Sequence, residues 1–148
     1  MALIAGLTGK YSGLPEAQIP APPQWLATWS NVFFVRSLES FLHSFGVDDY
    51  TLTSLYRNAE KNAAVGGKKN SAHPFGVAGD VKIHGPIPSD LVSSWINETG
   101  GYALNEGTHI HFNWPRSSVW QIAQWTFTAL VIIVLLVAVI AGTYFKKA

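Results

Sequence analysis

The centre of the chain reads SAHPFGVAGDVKI at residues 71–83, and further along the chain reads THIHFN at residues 108–113. The first segment places His73 and Asp80 on either side of a turn that contains a glycine and leads into a predicted strand. The second segment places His109 and His111 two positions apart in another predicted strand, so both side chains should point to the same face. Together the two segments predict a fold that gathers histidine and carboxylate side chains at one site.

These side chains are the types that hold a catalytic zinc ion. Such a site needs three protein ligands and one open position, and imidazole and carboxylate groups can supply all three. Because the chain contains no cysteine, it can form neither disulfides nor thiolate metal sites. The predicted ligands are therefore His73, Asp80 and His111, whereas His43 and His84 are taken as bystanders.

The residues around these segments predict a small α+β domain, in which a small antiparallel sheet with flanking helices surrounds the metal site. Apolar residues at helical spacing predict an amphipathic helix from Ser30 to Phe45 that stops at Gly46. Shorter patterns predict further elements. These are strands at Tyr50–Tyr56, Val81–Ile83 and His109–Phe112, a helix at Asn58–Val65 closed by Gly66 and Gly67, and a helix at Leu91–Ile96 with Ser89 and Asp90 as caps.

The spacing Ser-x-His-x-x-Gly-x-Ala-x-Asp at residues 71–80, followed by His-x-His at residues 109–111, resembles the signature of the zinc D-alanyl-D-alanine carboxypeptidases. That family is grouped with lysostaphin-type and hedgehog-type domains. Tyr56-Arg57 and the segment Asn62–Gly67 resemble the residues that precede the zinc motif in the family. The resemblance extends from about Tyr50 to Asn113.

The resemblance assigns a role to each matching residue. It implies that His73, Asp80 and His111 are the zinc ligands and that His109 stabilises the tetrahedral intermediate. It also implies that Arg57 holds the carboxylate of the substrate, and Ser71, at the start of the motif, is assigned to substrate binding with it.

The general base is expected to be an acidic residue shortly before the last ligand, and Glu106 is the first choice. A competing alignment reads Glu106 and His109 as Glu-x-x-His, which would make His109 the ligand in place of His111. Glu98 is a second candidate for the base.

The function implied by the resemblance is zinc-dependent cleavage of peptidoglycan stem peptides, by a D,D-carboxypeptidase or an endopeptidase. The alternative is a catalytically silent zinc-binding module with a structural or recognition role, as in the hedgehog-type relatives. Glu106 and Arg57 favour the enzyme, because a silent module needs neither a base nor a carboxylate-binding arginine.

The end of the chain predicts a membrane anchor. Residues 126–145 read TFTALVIIVLLVAVIAGTYF, without a charge, and a helix of this length spans about 30 Å, the thickness of a bilayer's hydrocarbon core. Aromatic and basic residues precede this segment and end it, as expected of interfacial anchors. They are Trp114, Trp120, Trp125, Tyr144, Phe145, Lys146 and Lys147. The predicted organisation is a proline-rich extended arm at 1–29, a zinc peptidase domain at 30–115, and a transmembrane helix with a short basic tail at 116–148.

The charges of the chain indicate which partners it can bind and how it would be oriented in a membrane. A formal net charge of +1 with 13% charged residues gives no electrostatic support for nucleic-acid recognition. The expected partners are the peptidoglycan peptide, a lipid bilayer, and other virion or envelope proteins. Lys146 and Lys147 place the tail in the cytoplasm by the positive-inside rule, yet no signal for export is recognised at the N-terminus. Two settings remain open: the virion membrane of a membrane-containing phage, where the enzyme would act in entry, and the bacterial inner membrane.

Overall fold

The computed structural model describes residues 15–145, so the predictions for residues 1–14 and for Lys146 and Lys147 lie outside the described part. Within residues 15–145, four helices and four strands follow one another. They are α1 (Gln24–Ser44), β1 (Tyr50–Ser54), α2 (Ala59–Ala64), β2 (Ala78–Ile83), α3 (Leu91–Thr99), β3 (Tyr102–Asn105), β4 (Ile110–Asn113) and α4 (Ser118–Phe145). Short 3₁₀ turns occur at Glu16–Gln18 and His73–Phe75.

The four strands form one antiparallel sheet in the order β1-β2-β4-β3. In the register between β2 and β4, Asp80 lies opposite His111 and Val81 lies opposite Ile110. Because side chains alternate between the faces of a sheet, Asp80 and His111 share one face while Val81 and Ile110 point to the other. This arrangement confirms the predicted α+β fold with flanking helices.

The hydrophobic core lies between the second face of the sheet and helices α1 and α3. Phe34 of α1, Trp95 of α3 and Phe112 of β4 are fully buried there. The ring of Trp95 meets those of Phe34 and Phe112 edge to face, with centroids 6.0 and 5.3 Å apart, a geometry that aromatic rings prefer. Burying each such side chain contributes about 1.5–3 kcal/mol.

Helix α1 begins earlier than predicted. It starts at Gln24, directly after Pro23, so the extended arm predicted for residues 1–29 is helical over its last six positions. The physical reason is burial: Leu26 and Ala27 pack into the core, and a helix satisfies their backbone groups there. The helix ends as predicted before Gly46, which has a φ of +69°.

The short helices follow their predicted positions with two differences. The side chain of Asn58 caps α2 by accepting a hydrogen bond from the backbone N–H of Lys61 at 2.8 Å. Asp90 precedes α3, but its side chain makes no capping hydrogen bond, so that part of the prediction was wrong. Helix α3 also continues to Thr99, because only Gly100, with a φ of +64°, ends it. Strand β3 was not predicted.

Helix α4 is the one helix within residues 15–145 that is long and apolar enough to cross a membrane, over Ser118–Gly142. Its first turns belong to the core of the domain, since Val119 and Ile122 are buried there. Two of the predicted aromatic anchors also pack against the protein: the ring of Trp114 lies 5.3 Å from that of Phe34, and Trp120 packs against the core. Beyond these turns most side chains of the helix are exposed as far as Gly142.

Candidate metal centre

The three predicted metal ligands come from three different parts of the fold. Asp80 and His111 lie opposite each other on β2 and β4, and His73 begins the 3₁₀ turn that leads into β2. The turn depends on Gly76, which has a φ of +73° and passes so close to α1 that a Cβ would collide with the carbonyl oxygen of Ala27. The glycine of the sequence motif therefore brings His73 back over the sheet.

The three side chains converge with the spacing of a metal site. Their candidate ligand atoms all lie within 4.8 Å of one another. Asp80 Oδ1 is 3.4 Å from His73 Nε2 and 2.8 Å from His111 Nδ1. A tetrahedral zinc ion with bonds of about 2.0–2.1 Å places its ligand atoms about 3.3 Å apart, so two histidines and a carboxylate in this arrangement fit zinc.

A backbone carbonyl fixes the orientation of His73. Nδ1 of this buried ring donates a hydrogen bond to the carbonyl oxygen of Leu55 at 2.7 Å. A carbonyl oxygen can only accept, so Nδ1 carries a proton, and Nε2, the other ring nitrogen, faces Asp80. Orientation of a histidine ligand by such a contact is usual at metal sites.

Asp80 is held in the ionised form that metal binding requires. Burial raises the pKa of its carboxyl group, but hydrogen bonds from His111 and His73, with the charges of the same two rings, outweigh burial and hold that pKa well below its ordinary range. The carboxylate therefore needs no deprotonation step before it can bind a cation.

His109 lies at the edge of the cluster, in the tight turn between β3 and β4. Its Nε2 is 3.9 Å from Asp80 Oδ1 and 3.2 Å from Glu106 Oε2. The backbone N–H of Glu106 donates to the carbonyl oxygen of His109 at 2.9 Å, which holds the turn closed. This geometry favours His111 over His109 as the third ligand and places His109 between the ligands and Glu106.

The second candidate for the base lies elsewhere. Glu98 is in α3, which packs on the core face of the sheet, whereas Asp80 and His111 point to the opposite face. Glu98 lines an apolar groove there. The geometry therefore favours Glu106.

Arg57 borders the cluster with unused hydrogen-bonding capacity. Its Nη2 is 4.0 Å from Asp80 Oδ2, and its buried Nε finds no hydrogen-bond partner within residues 15–145. The side chain stays 20% exposed. An arginine with spare donors next to a metal site can hold a carboxylate.

Ser71 has a local structural contact. Its hydroxyl oxygen accepts a hydrogen bond from the backbone N–H of His73 at 3.3 Å and so helps to shape the turn. Its assignment to substrate binding stays a prediction.

Two features of the site were not foreseen. The carbonyl of Leu55 gives no signal in a sequence, because every residue carries one. Tyr102, on the unpredicted strand β3, lies on the same face as His111, with ring centroids 6.3 Å apart. The alternation of Tyr102 and Leu104 with smaller residues was the available signal for this strand.

Comparison with known proteins adds one match. A protein-family model described as Peptidase M15 matches residues 12–113, which is more than half of the chain. The matched range contains Arg57, the three candidate ligands and Glu106. No curated protein and no solved structure gave a significant match.

Proposed function

The chain belongs to the peptidase M15 family of zinc-dependent peptidases, and on that premise we propose that it cleaves peptidoglycan stem peptides while anchored to a membrane. The observation that carries the proposal is the convergence of His73, Asp80 and His111, whose candidate ligand atoms lie within 4.8 Å of one another. Two histidines and a carboxylate leave one position of a tetrahedral ion open for water or substrate.

His73, Asp80 and His111 would hold the zinc ion. Bound there, zinc would supply a water of lowered pKa and would polarise the carbonyl of the scissile bond. The protein's own contribution is orientation: Leu55 fixes the ring of His73, and the register of β2 with β4 fixes Asp80 against His111.

Glu106 and His109 would handle protons and charge beside the ligands. Glu106 would accept a proton from the nucleophilic water and deliver it to the leaving amine. His109, whose Nε2 lies 3.2 Å from Glu106 Oε2, would donate a hydrogen bond to the oxygen on which negative charge develops.

Arg57 favours a substrate that ends in a free carboxylate. Its Nε has no partner within the described residues, and a buried donor without a partner costs about 1–3 kcal/mol. A substrate carboxylate bound by this guanidinium would satisfy its spare donors with charge-assisted hydrogen bonds. This supports the D,D-carboxypeptidase over the endopeptidase.

The membrane anchor would be helix α4. The apolar surface of Ser118–Gly142 is exposed beyond the first turns, and a lipid bilayer is the environment that such a surface needs. The virion membrane of a membrane-containing phage and the bacterial inner membrane both meet this need. Detection of the chain in purified virions by mass spectrometry would favour the first, and its detection in membranes of uninfected bacteria would favour the second.

The direct test is metal content together with peptide release. The purified chain should contain one zinc ion and should release D-alanine from stem pentapeptides. His73→Ala should lose both properties, whereas His43→Ala, an exposed histidine paired with Asp48, should keep both. Peptide release that survives in His73→Ala, or in protein stripped of metal, would refute the proposal.

Glu106→Gln separates an enzyme from a silent zinc module. The enzyme should keep its zinc and lose turnover, because the amide cannot accept the proton. A chain that binds zinc and cleaves no peptide before the substitution would instead be a binding module.

A further inference from the structure

Helix α1 carries two apolar faces, although only one of them packs against the core. The core face holds Leu26, Phe34, Leu38 and other buried residues. A second stripe at helical spacing is exposed to solvent. It consists of Trp25, Trp29, Val32 and Phe33, which we call the outer stripe.

The outer stripe continues into an apolar groove of about 860 Å³ between α1 and α4. Trp29 and Phe33 line its α1 side, and residues of the candidate transmembrane span, including Trp125 and Ile133, line its α4 side. The indole N–H of Trp29 donates to the hydroxyl oxygen of Thr126 at 3.3 Å, which ties the two helices together. The outer stripe is thus continuous with the surface of the span.

The start of α4 is packed into the domain, and this packing fixes where the groove lies along the helix. Val119 and Ile122 are buried in the peptidase core, so no flexible linker separates the domain from the helix. Thr126, Ala129, Leu130 and Ile133 of α4 line the groove and also lie within the apolar span. Where these residues lie in a bilayer, the start of α1 lies at the same depth.

The charges on α1 agree with this depth. The first twelve residues of the helix, Gln24–Val35, carry no charge. The first charged residue is Arg36, which continues the outer stripe and is exposed. Indole rings prefer the boundary between hydrocarbon and head groups, and an arginine at the end of such a stripe can reach lipid phosphates.

We propose that the acyl chains of bilayer lipids fill the groove and cover the outer stripe, so that the peptidase domain sits partly immersed in the membrane. The proposal rests on the proposed anchoring by α4 and goes beyond it. An anchor alone requires only the span, whereas the groove brings the domain's own first helix into contact with lipid. Trp25, 66% exposed, and Trp125, 72% exposed, would both lose contact with water.

The absence of cysteine makes the test direct, because each introduced cysteine is the only one in the chain. The full chain is reconstituted into phosphatidylcholine–phosphatidylglycerol vesicles with a nitroxide spin label at one position. Collisions with oxygen, which is concentrated in lipid, are compared with collisions with a water-soluble nickel chelate. The test variant is Val32→Cys and the matched control is Ser40→Cys, which continues the same face of α1 beyond Arg36 and is also exposed. Leu135→Cys reports on the span, and zinc content is measured for every variant.

The proposal expects Val32→Cys to resemble Leu135→Cys, with high oxygen and low nickel accessibility, while Ser40→Cys meets the nickel chelate freely. A label at Val32 that meets the chelate as Ser40 does, while Leu135 is in lipid, would overturn the proposal and leave the anchor intact. A label at Val32 shielded from both reagents would also overturn it, because a protein partner or a second copy would then cover the stripe. A label at Leu135 in water would overturn the anchor itself.

Discussion

His111 donates a hydrogen bond from Nδ1 to Oδ1 of Asp80 across strands β4 and β2, over 2.8 Å. The two residues are direct partners in the strand register, so the backbone fixes this contact. His73 approaches the same carboxylate oxygen from outside the sheet, at 3.4 Å. The sheet thus supplies two of the candidate ligands, and the turn that precedes β2 supplies the third.

The two histidines of the His-x-His segment should have different roles, with His111 as a metal ligand and His109 as a catalytic residue. His111→Ala is expected to lose zinc, because the closest of the candidate ligand contacts is removed. His109→Ala is expected to keep zinc and to lower kcat by about 10²–10³-fold, the usual effect of removing one group that stabilises developing charge. Zinc content and kcat measured on both variants check this prediction, and loss of zinc in His109→Ala alone would support the competing Glu-x-x-His alignment.

Arg57 should discriminate between substrates by their terminal group. Arg57→Met is expected to lower kcat/KM about 10–100-fold for a stem peptide with a free terminal carboxylate, since a hydrogen bond to a charged group contributes about 1.5–3 kcal/mol. The same peptide with an amidated terminus should be cleaved poorly by the native protein and should lose little further in the variant. An equal loss on both peptides would show that Arg57 acts on the protein itself.

Metal-free protein should lose stability as the pH falls toward and below about 4 because of Asp80. The pKa of this carboxyl group is lowered in the folded state, so the unfolded chain, with a pKa of about 3.9, binds its proton first. The contribution of Asp80 is therefore fully present well above pH 4 and is lost as the pH falls through the folded-state value. Thermal unfolding of metal-free native protein and of Asp80→Asn should differ most near neutral pH and should converge in acid. A difference that stays constant from pH 7 to pH 3 would contradict this assignment.

Gly76 should be the least replaceable of the turn glycines. Gly76→Ala would add the cost of a positive φ, about 1–2 kcal/mol, to a collision with the carbonyl oxygen of Ala27 worth about 1–3 kcal/mol more. Gly46→Ala is the matched control, because Gly46 also has a positive φ and has open space where a Cβ would stand. The melting temperature should fall further for Gly76→Ala, which should also bind zinc more weakly because His73 begins the same turn. Equal melting temperatures for Gly76→Ala and Gly46→Ala would show that α1 shifts to make room for the added methyl group.

Most of the fold and of the site could be predicted because both depend on local patterns. The alternation around His109 and His111 identified β4, and the spacing of His73 and Asp80 identified the turn into β2. The structure differed from the prediction where an element is stabilised by contacts between residues far apart in the sequence. The early start of α1 follows from the burial of Leu26 under the rest of the domain, which periodicity alone does not reveal.

The direct pairing of Asp80 with His111 across the sheet was not predicted. Both residues were chosen as ligands from their types and spacing, but their direct opposition depends on the strand order β1-β2-β4-β3, which was not predicted. The orienting carbonyl of Leu55 depends on the same order, since the chain must leave β1 beside the turn that holds His73. Sequence patterns name the side chains of such a site more readily than the backbone groups that orient them.

The burial of Val119 and Ile122 in the peptidase core limits where an anchored enzyme can work. A domain joined to its anchor by a loose tether can search a deep volume of cell wall, whereas this one, anchored through α4 as proposed, would keep a set height and angle at the membrane surface. A domain of this size has a radius of gyration of about 13 Å, so the peptides within reach of the proposed enzyme would form a thin layer next to the bilayer. Such an enzyme would clear a shallow, local opening as it diffuses sideways, and would leave the outer layers of the wall intact.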